Sequence, residues 1–239
     1  MSKPITIVHL YAKEMNIYGD NGNVQVLQKR LEWRGIDSKV VRVGVGEAFP
    51  KEVHLVVGGG GQDAGQQAIA DDLQAKKEQL QLLANNGVPM LMICGMYQMF
   101  GSAFITADNV TIPGIGILDV NTKASSGRLV GNVVCQTNDF GRLIGYENHS
   151  GRTVRGAKIL PLGIVPAGQG NDGVDKTEGS RFNNVFGSYM HGPMLAKSPI
   201  FADHLLRLAL DIAGNPSELT PLDDSLEEVA GDVAVSRPR

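Results

Sequence analysis

The stretch Val88-Pro89-Met90-Leu91-Met92-Ile93-Cys94-Gly95-Met96-Tyr97-Gln98-Met99-Phe100-Gly101 decides the reading of this chain. A run of buried-strand character leads directly into a cysteine, a glycine and a short helical pattern. The order predicts a strand over 88–93 and a tight strand-to-helix turn, with the Cys94 thiol displayed at the carboxyl edge of a sheet. Gly95 permits the tight backbone. The amino end of the following helix favours negative charge, and so favours the thiolate. An ordinary thiol with a pKa near 8.5 is only about 3% ionised at pH 7. Lowering that value by about two units, worth roughly 2.7 kcal/mol, makes most of it nucleophilic. Pattern alone leaves a second reading open, in which Cys94 is a buried core residue like most free cysteines. Cys135, flanked by Val133 and Val134 in a strand-like run, reads as core.

Upstream of this turn, short apolar runs alternate with helical patterns. Residues 5–11, 39–43 and 53–57 read as strands, and 24–34 and 66–85 as helices, the first closed by Gly35 and the second by Gly87. This rhythm predicts an α/β fold with a mostly parallel sheet and helices on both faces. In such sheets ligands bind beyond the carboxyl ends of the strands. Downstream, residues 110–165 are β-rich with glycine-containing turns, 201–213 form a helix, and the end reads as a short helix with a frayed tail. A main domain over 1–218 and a C-terminal helix and tail over 219–239 follow, with no linker or repeat between.

The composition bounds the function. The chain has 239 residues, 42% of them hydrophobic and 20% charged, with a formal net charge of -3. That balance argues against nucleic-acid binding, which is usually the work of basic domains. Neither cysteine has metal-ligand spacing around it, so no metal site is predicted. The start carries too short an apolar run for a signal peptide, and no segment approaches the roughly 20 apolar residues that span a bilayer. The protein is expected to be cytoplasmic.

A thiol nucleophile needs a general base, which later donates a proton to the leaving group, and histidine suits both roles. His9 and His54 fall in predicted strands and His204 on the last helix, where structural roles fit. His191, in Gly187-Ser188-Tyr189-Met190-His191-Gly192-Pro193-Met194, stands where a strand enters a Gly-Pro turn. It is the candidate base.

The segment from Cys94 to Gly101 resembles the nucleophile elbow of class I glutamine amidotransferases, in the form found in the cobyric acid synthase branch. Met96 stands where that branch usually has a second glycine. His191 matches the branch histidine in its His-Gly setting, but Pro193 occupies the acidic position of the His-x-Glu form. The orienting third residue is therefore missing or supplied from elsewhere, with Asp20 and Glu147 as candidates. The reaction this implies places negative charge on an amide oxygen, which needs backbone N–H donors. Gly95 can supply one, and Gly58-Gly59-Gly60-Gly61 another, with Gly60 the choice. The glycine run lacks the phosphate-loop patterns. Arg128 matches the family segment that contacts glutamine, and an arginine clamps a carboxylate through two hydrogen bonds. Gln98 is assigned to the substrate site with it.

Three longer stretches narrow the resemblance: 10–23 together with Glu32-Trp33-Arg34-Gly35, then Gly59-Gly60-Gly61-Gln62-Asp63, and Gly145-Tyr146-Glu147-Asn148-His149-Ser150-Gly151-Arg152-Thr153. Over 5–213 the chain looks like the glutaminase subunit of lipid II isoglutaminyl synthase. That family implies a heterodimer with a Mur-ligase-like synthetase that binds ATP and activates the D-glutamate of the lipid II stem peptide. Ammonia from L-glutamine then gives D-isoglutamine, a step of peptidoglycan synthesis, and the glutaminase chain itself needs no cofactor. Association with the inner membrane face would come only through the partner's substrate. Asp20, Asn21 and Asn23 are read as a helix cap, and His149 as structural. Alternatives are a subunit for a cobalamin-type acid, a γ-glutamyl cysteine hydrolase acting alone, and a non-catalytic binding subunit.

Overall fold

The computed structural model describes residues 3–237. Met1, Ser2 and the last two residues of the expected tail lie outside the described residues. The first half alternates strand and helix as its apolar pattern requires: β1 (Ile5–Leu10), α1 (Asn21–Glu32), β2 (Ser38–Val43), β3 (Leu55–Gly58), α2 (Asp63–Ala75), α3 (Lys77–Asn85), β4 (Met90–Ile93) and α4 (Gly95–Phe100). A β-rich part follows: β5 (Ala103–Ile105), β6 (Thr111–Pro113), β7 (Val120–Gln136), β8 (Arg142–Arg155), β9 (Gly163–Ala167), β10 (Thr177–Glu178), β11 (Ser180–Phe182) and β12 (Val185–Ser188). Helices α5 (Pro199–Ala213) and α6 (Ser225–Ser236) close the chain.

The strands sort into two sheets. The first runs β11-β12-β4-β3-β1-β2 and is parallel except at its β11 edge. Strands β1, β3 and β4 are buried along their whole length, which is why they read as continuous apolar runs. The second sheet runs β10-β9-β7-β5-β6, with β8 added to β7 as a long antiparallel hairpin. Its register shifts between Ala124 and Leu129, and the interrupted segment holds Arg128. A bridge between Tyr146 and His191 joins the hairpin to the chain leaving β12.

Beyond shifts of a few residues at element ends, two expectations differ from what is observed. The helix expected over 66–85 begins three residues earlier and breaks into α2 and α3 at Lys76, where φ and ψ are -88° and -4°. No Gly or Pro marks that break. The cap reading of the first helix also fails, because Asp20 precedes α1 without making a side-chain cap bond. The Asn21 N–H instead donates to Asn16 Oδ1, and Asn23 Oδ1 accepts the N–H of Leu195.

The C-terminal segment lies against the body. Buried Arg30 holds Asp203 at 2.7 Å and Asp224 at 2.6 Å, Arg34 Nε donates to the Thr220 carbonyl, and Arg142 pairs with Asp232. Within α6 only Gly231 is buried, so polar contacts contribute much of its attachment.

Candidate functional site

The carboxyl ends of β1, β3, β4 and β12 converge on Cys94. Strand β4 delivers the residue into a turn with φ 49° and ψ -103°, outside the regions open to ordinary side chains. Such a conformation costs on the order of 1–3 kcal/mol and persists only where its surroundings over-determine it. Here the Cys94 N–H donates to the Ser188 carbonyl at 2.7 Å, and the Cys94 carbonyl accepts Gln98 N–H at 3.0 Å. A Cβ on Gly95 would lie 2.7 Å from Met15 Cε and 2.9 Å from Gly61 N, so only glycine fits there. Helix α4 has just six residues. Its influence on the thiol is that of a few local N–H groups rather than a long macrodipole.

His191 is wholly buried beside this turn. Its N–H and carbonyl both bond to Tyr146, and Lys197 Nζ holds the following turn through the Gly192 carbonyl at 2.6 Å. The ring Nδ1 lies 3.0 Å from both carboxylate oxygens of Asp20, and Tyr18 packs edge-on against the ring at 4.9 Å. A carboxylate only accepts, so Nδ1 carries the proton and Nε2 is the face left for chemistry. Nε2 makes no hydrogen bond. Burial alone would lower the pKa of this ring, but the bond to Asp20 and the interaction with the Cys94 thiol together raise it well above the ordinary histidine value. Thiol and imidazole are thus interacting neighbours whose hydrogen bond is not closed, as is common in unliganded sites.

These contacts decide the choices left open. Asp20 is the residue that orients His191. Glu147 is not: its two carboxylate oxygens accept the N–H groups of Gln169 and Gly170 at 2.8 Å. The choice of Gly60 as an oxyanion donor is overturned, because its N–H donates to Asp20 Oδ2 at 2.6 Å. What Gly60 provides is room, since a Cβ there would lie 2.6 Å from His191 Cε1. The N–H of the next residue, Gly61, has no acceptor among the described residues and lies beside Gly95. Four consecutive glycines are indistinguishable in sequence, so nothing there separates Gly60 from Gly61.

Cys94 opens into a cleft of about 410 Å³ whose walls include Tyr18, Gln98, Arg128, Asn148 and His149. Gln98 is buried behind the elbow, where Gln66 donates to its Oε1 at 2.7 Å and its Nε2 donates to Tyr189 Oη at 3.0 Å. This amide braces the wall. Arg128 crosses the hairpin, donating from Nε to Asn148 Oδ1 and from Nη2 to the Asn148 carbonyl, both at 2.8 Å, while Asn148 Nδ2 donates to Tyr18 Oη at 2.8 Å. Asn148 and Tyr18, which carried no role in the sequence reading, therefore hold the guanidinium in place. Met96 is fully buried and fills the space beside Gly58, where an added Cβ would meet its Cγ at 2.9 Å.

The remaining candidates sit away from the elbow. His54 Nδ1 accepts the Thr6 N–H, His9 is buried in β1, and His204 lies against Phe140. Cys135 is buried within β7, and burial first, then the charge of Glu178, pushes its thiol pKa far up. Among the described residues no His, Cys, Asp and Glu group is arranged to hold a metal, and no helix is long and apolar enough to cross a membrane.

Comparison with known proteins agrees with this architecture. Residues 6–199 match the CobB/CobQ-like glutamine amidotransferase domain. The chain is 36% identical to the lipid II isoglutaminyl synthase (glutamine-hydrolyzing) subunit GatD of Staphylococcus aureus strain N315, over 98% of this chain and 96% of that protein. It is also 36% identical to the subunit of the same name from Streptococcus pneumoniae strain R6, over 94% and 88%. A solved glutamine amidotransferase, 15% identical, superposes with a TM-score of 0.59 over 87% of this chain and 98% of that one, a likeness of fold. The chain belongs to the CobB/CobQ-like glutamine amidotransferase family, and within it to the group of lipid II isoglutaminyl synthase GatD subunits.

Proposed function

We propose that this chain is the glutamine-hydrolysing subunit of a lipid II isoglutaminyl synthase, with Cys94 as nucleophile and His191 as acid and base. The observation that carries the reading is the strained Cys94 turn set against a buried His191–Asp20 pair, with two backbone N–H groups beside it. His191 Nε2 takes the thiol proton, and Cys94 Sγ attacks the side-chain amide carbon of L-glutamine. The negative oxygen of the tetrahedral intermediate is received by the N–H groups of Gly95 and Gly61, each such donor being worth about 3 kcal/mol in the transition state. Collapse breaks the C–N bond, and the leaving nitrogen takes the proton back from His191 as ammonia departs. Water, deprotonated by His191, then attacks the thioester and releases glutamate, restoring the thiol. Asp20 holds the imidazole in the required tautomer and stabilises its protonated form, while Arg128 clamps the glutamine carboxylate.

Ammonia released into water at neutral pH is protonated and lost as a nucleophile. The hydrolysis is therefore coupled to a docked Mur-ligase-like synthetase, which activates the D-glutamate carboxylate of lipid II with ATP and accepts the ammonia to give D-isoglutamine. The test is amidation of lipid II by the complex carrying Cys94→Ala. With glutamine the expected outcome is no amidated product, and with a high concentration of ammonium amidation returns, because only the nitrogen source has been removed. A Cys94→Ala complex that still uses glutamine defeats the mechanism. An assembled one that ammonium fails to rescue assigns Cys94 a different role.

A further inference from the structure

The cleft in front of Cys94 carries two formally charged side chains of opposite sign, Arg128 and Asp63. Arg128 bonds only to neutral groups of Asn148, and Asp63 makes no hydrogen bond or ion pair among the described residues. The two do not pair with each other, although they line the same 410 Å³. Asp63 opens α2 immediately after the glycine run that borders Cys94. A third lining residue adds an unmet demand. His149 is 3% exposed, stacks on Tyr189 with ring centroids 3.6 Å apart, and directs Nδ1 at the Gly151 carbonyl at 2.9 Å. The carbonyl only accepts, so that nitrogen holds the ring proton. Burial, followed by the positive charges of Arg152, His191 and Arg128, lowers the ring pKa to about 3 despite the Gly151 bond, leaving Nε2 a bare lone pair. That atom is buried and has no partner, with the nearest Glu147 oxygen 4.0 Å away.

A cation-seeking carboxylate, an anion-seeking guanidinium and an unsatisfied acceptor in one small cleft match the head group of a free α-amino acid. We propose that Asp63 is a specificity-determining residue that reads the α-ammonium group of glutamine, with His149 Nε2 as a second acceptor and Arg128 on the carboxylate. The inference rests on the glutaminase reading of this site and assigns it a selection that hydrolysis alone does not require. An acyl amide with a carboxylate but no amine leaves Asp63 and His149 unmatched, and a site built to bond a group discriminates strongly against analogues that lack it.

The discriminating measurement compares glutamine with glutaramate, its des-amino analogue, in the assembled complex. Glutaramate is followed as a substrate or as a competitive inhibitor of glutamine hydrolysis. In the wild type glutamine is favoured. Asp63→Asn is expected to reduce that preference by roughly tenfold or more, the usual reach of a charge-assisted hydrogen bond. The loss falls on KM for glutamine, with glutaramate unchanged. His149→Phe keeps the stack on Tyr189 and is expected to reduce the preference in the same direction by less. Arg128→Ala, removing the clamp common to both compounds, weakens both alike. An Asp63→Asn complex that keeps the wild-type preference, or that loses both compounds equally, overturns the assignment while leaving the glutaminase reading intact. A wild-type complex that hydrolyses no glutamine overturns both.

Discussion

On one wall of the Cys94 cleft the candidate catalytic groups are buried and each is held from several sides. Cys94 is 5% exposed, His191 0% and Asp20 1%. Their positions are set by backbone bonds to Ser188, Gln98 and Tyr146 and by the Gly60 N–H on Asp20. On the other wall Arg128 sits on an interrupted hairpin, exposed, with its orientation resting on Asn148 and Tyr18, the latter 46% exposed. Proton transfer and bond making need sub-ångström placement, and a misplacement of about 1 Å can cost a hundredfold. Holding a charged head group tolerates looser geometry. Damage to the buried wall is therefore expected to fall on turnover, and damage to the hairpin on affinity.

The largest break of that contrast comes from Asp20→Asn. The amide keeps an acceptor for Gly60 but no longer fixes the His191 tautomer or balances its charge. Glutamine turnover is expected to fall by at least a hundredfold, the usual scale of acid–base catalysis. The pH profile carries a second readout. Asp20 raises the His191 pKa against the lowering effect of burial. Removing the carboxylate lowers it, so the limb of the profile that reports loss of the imidazolium moves to lower pH. A variant with near-normal turnover, or with that limb unmoved, shows that Asp20 is not the positioning group.

Arg128→Ala probes the other wall and is expected to do less. Loss of a charge-assisted clamp costs roughly 1.5–3 kcal/mol when both partners are desolvated. The exposure of this arginine puts the effect at the lower end, about a tenfold rise in KM with kcat nearly kept. Steady-state kinetics over a wide glutamine range separate the two parameters. A fall in kcat with KM unchanged would erase the distinction between the walls.

Much of the buried wall was legible in the sequence because its signal is local. The run into Cys94-Gly95 encodes strand, turn and helix within a few residues, and the parallel sheet follows from the alternation before it. His191 is singled out by a similar local mark, the Gly-Pro turn. Asp20, whose carboxylate meets its ring, carries no such mark, because it lies 171 positions away and the loop after β1 reads equally well as a cap. Sequence leaves Glu147 an equal candidate, since its engagement by the Gln169 and Gly170 N–H groups is likewise a tertiary fact. The identity of the free glycine N–H depends on which one Asp20 takes, a tertiary fact. On the hairpin, Arg128 came from resemblance alone, and its dependence on Asn148 and Tyr18 arises from cross-strand register.

The smallest expected effect lies beneath the buried wall and tests whether its rigidity is bought with stability. Glu178 is fully buried, and its Oε1 accepts Ser188 Oγ at 2.8 Å and Tyr189 N–H at 2.6 Å, fixing the segment that leads to His191. Its Oε2 has no partner. Burial, with the nearby charge of Glu147, outweighs these bonds and raises the carboxyl pKa from 4.5 to about 7. The folded state therefore binds this proton more tightly than the unfolded chain. The stabilisation is fully present below about pH 4.5 and is lost as pH rises through about 7. Glu178→Gln keeps an acceptor for Ser188 and Tyr189 and cannot ionise, so it should flatten this dependence. The full shift is worth roughly 3 kcal/mol by pH 8. The variant's buried amide NH2, however, faces the position where Oε2 has no partner and offsets much of it. The net gain at pH 8 relative to wild type is therefore expected to be on the order of 1 kcal/mol, or about 3 °C in Tm. Thermal unfolding of both proteins at pH 5 and pH 8 reads it directly, and glutamine turnover should stay within about twofold. Parallel Tm curves for the two proteins would mean that Glu178 ionises without cost. A large loss of turnover would mean that the charge of Glu178, and not only its acceptor oxygen, holds His191 in place.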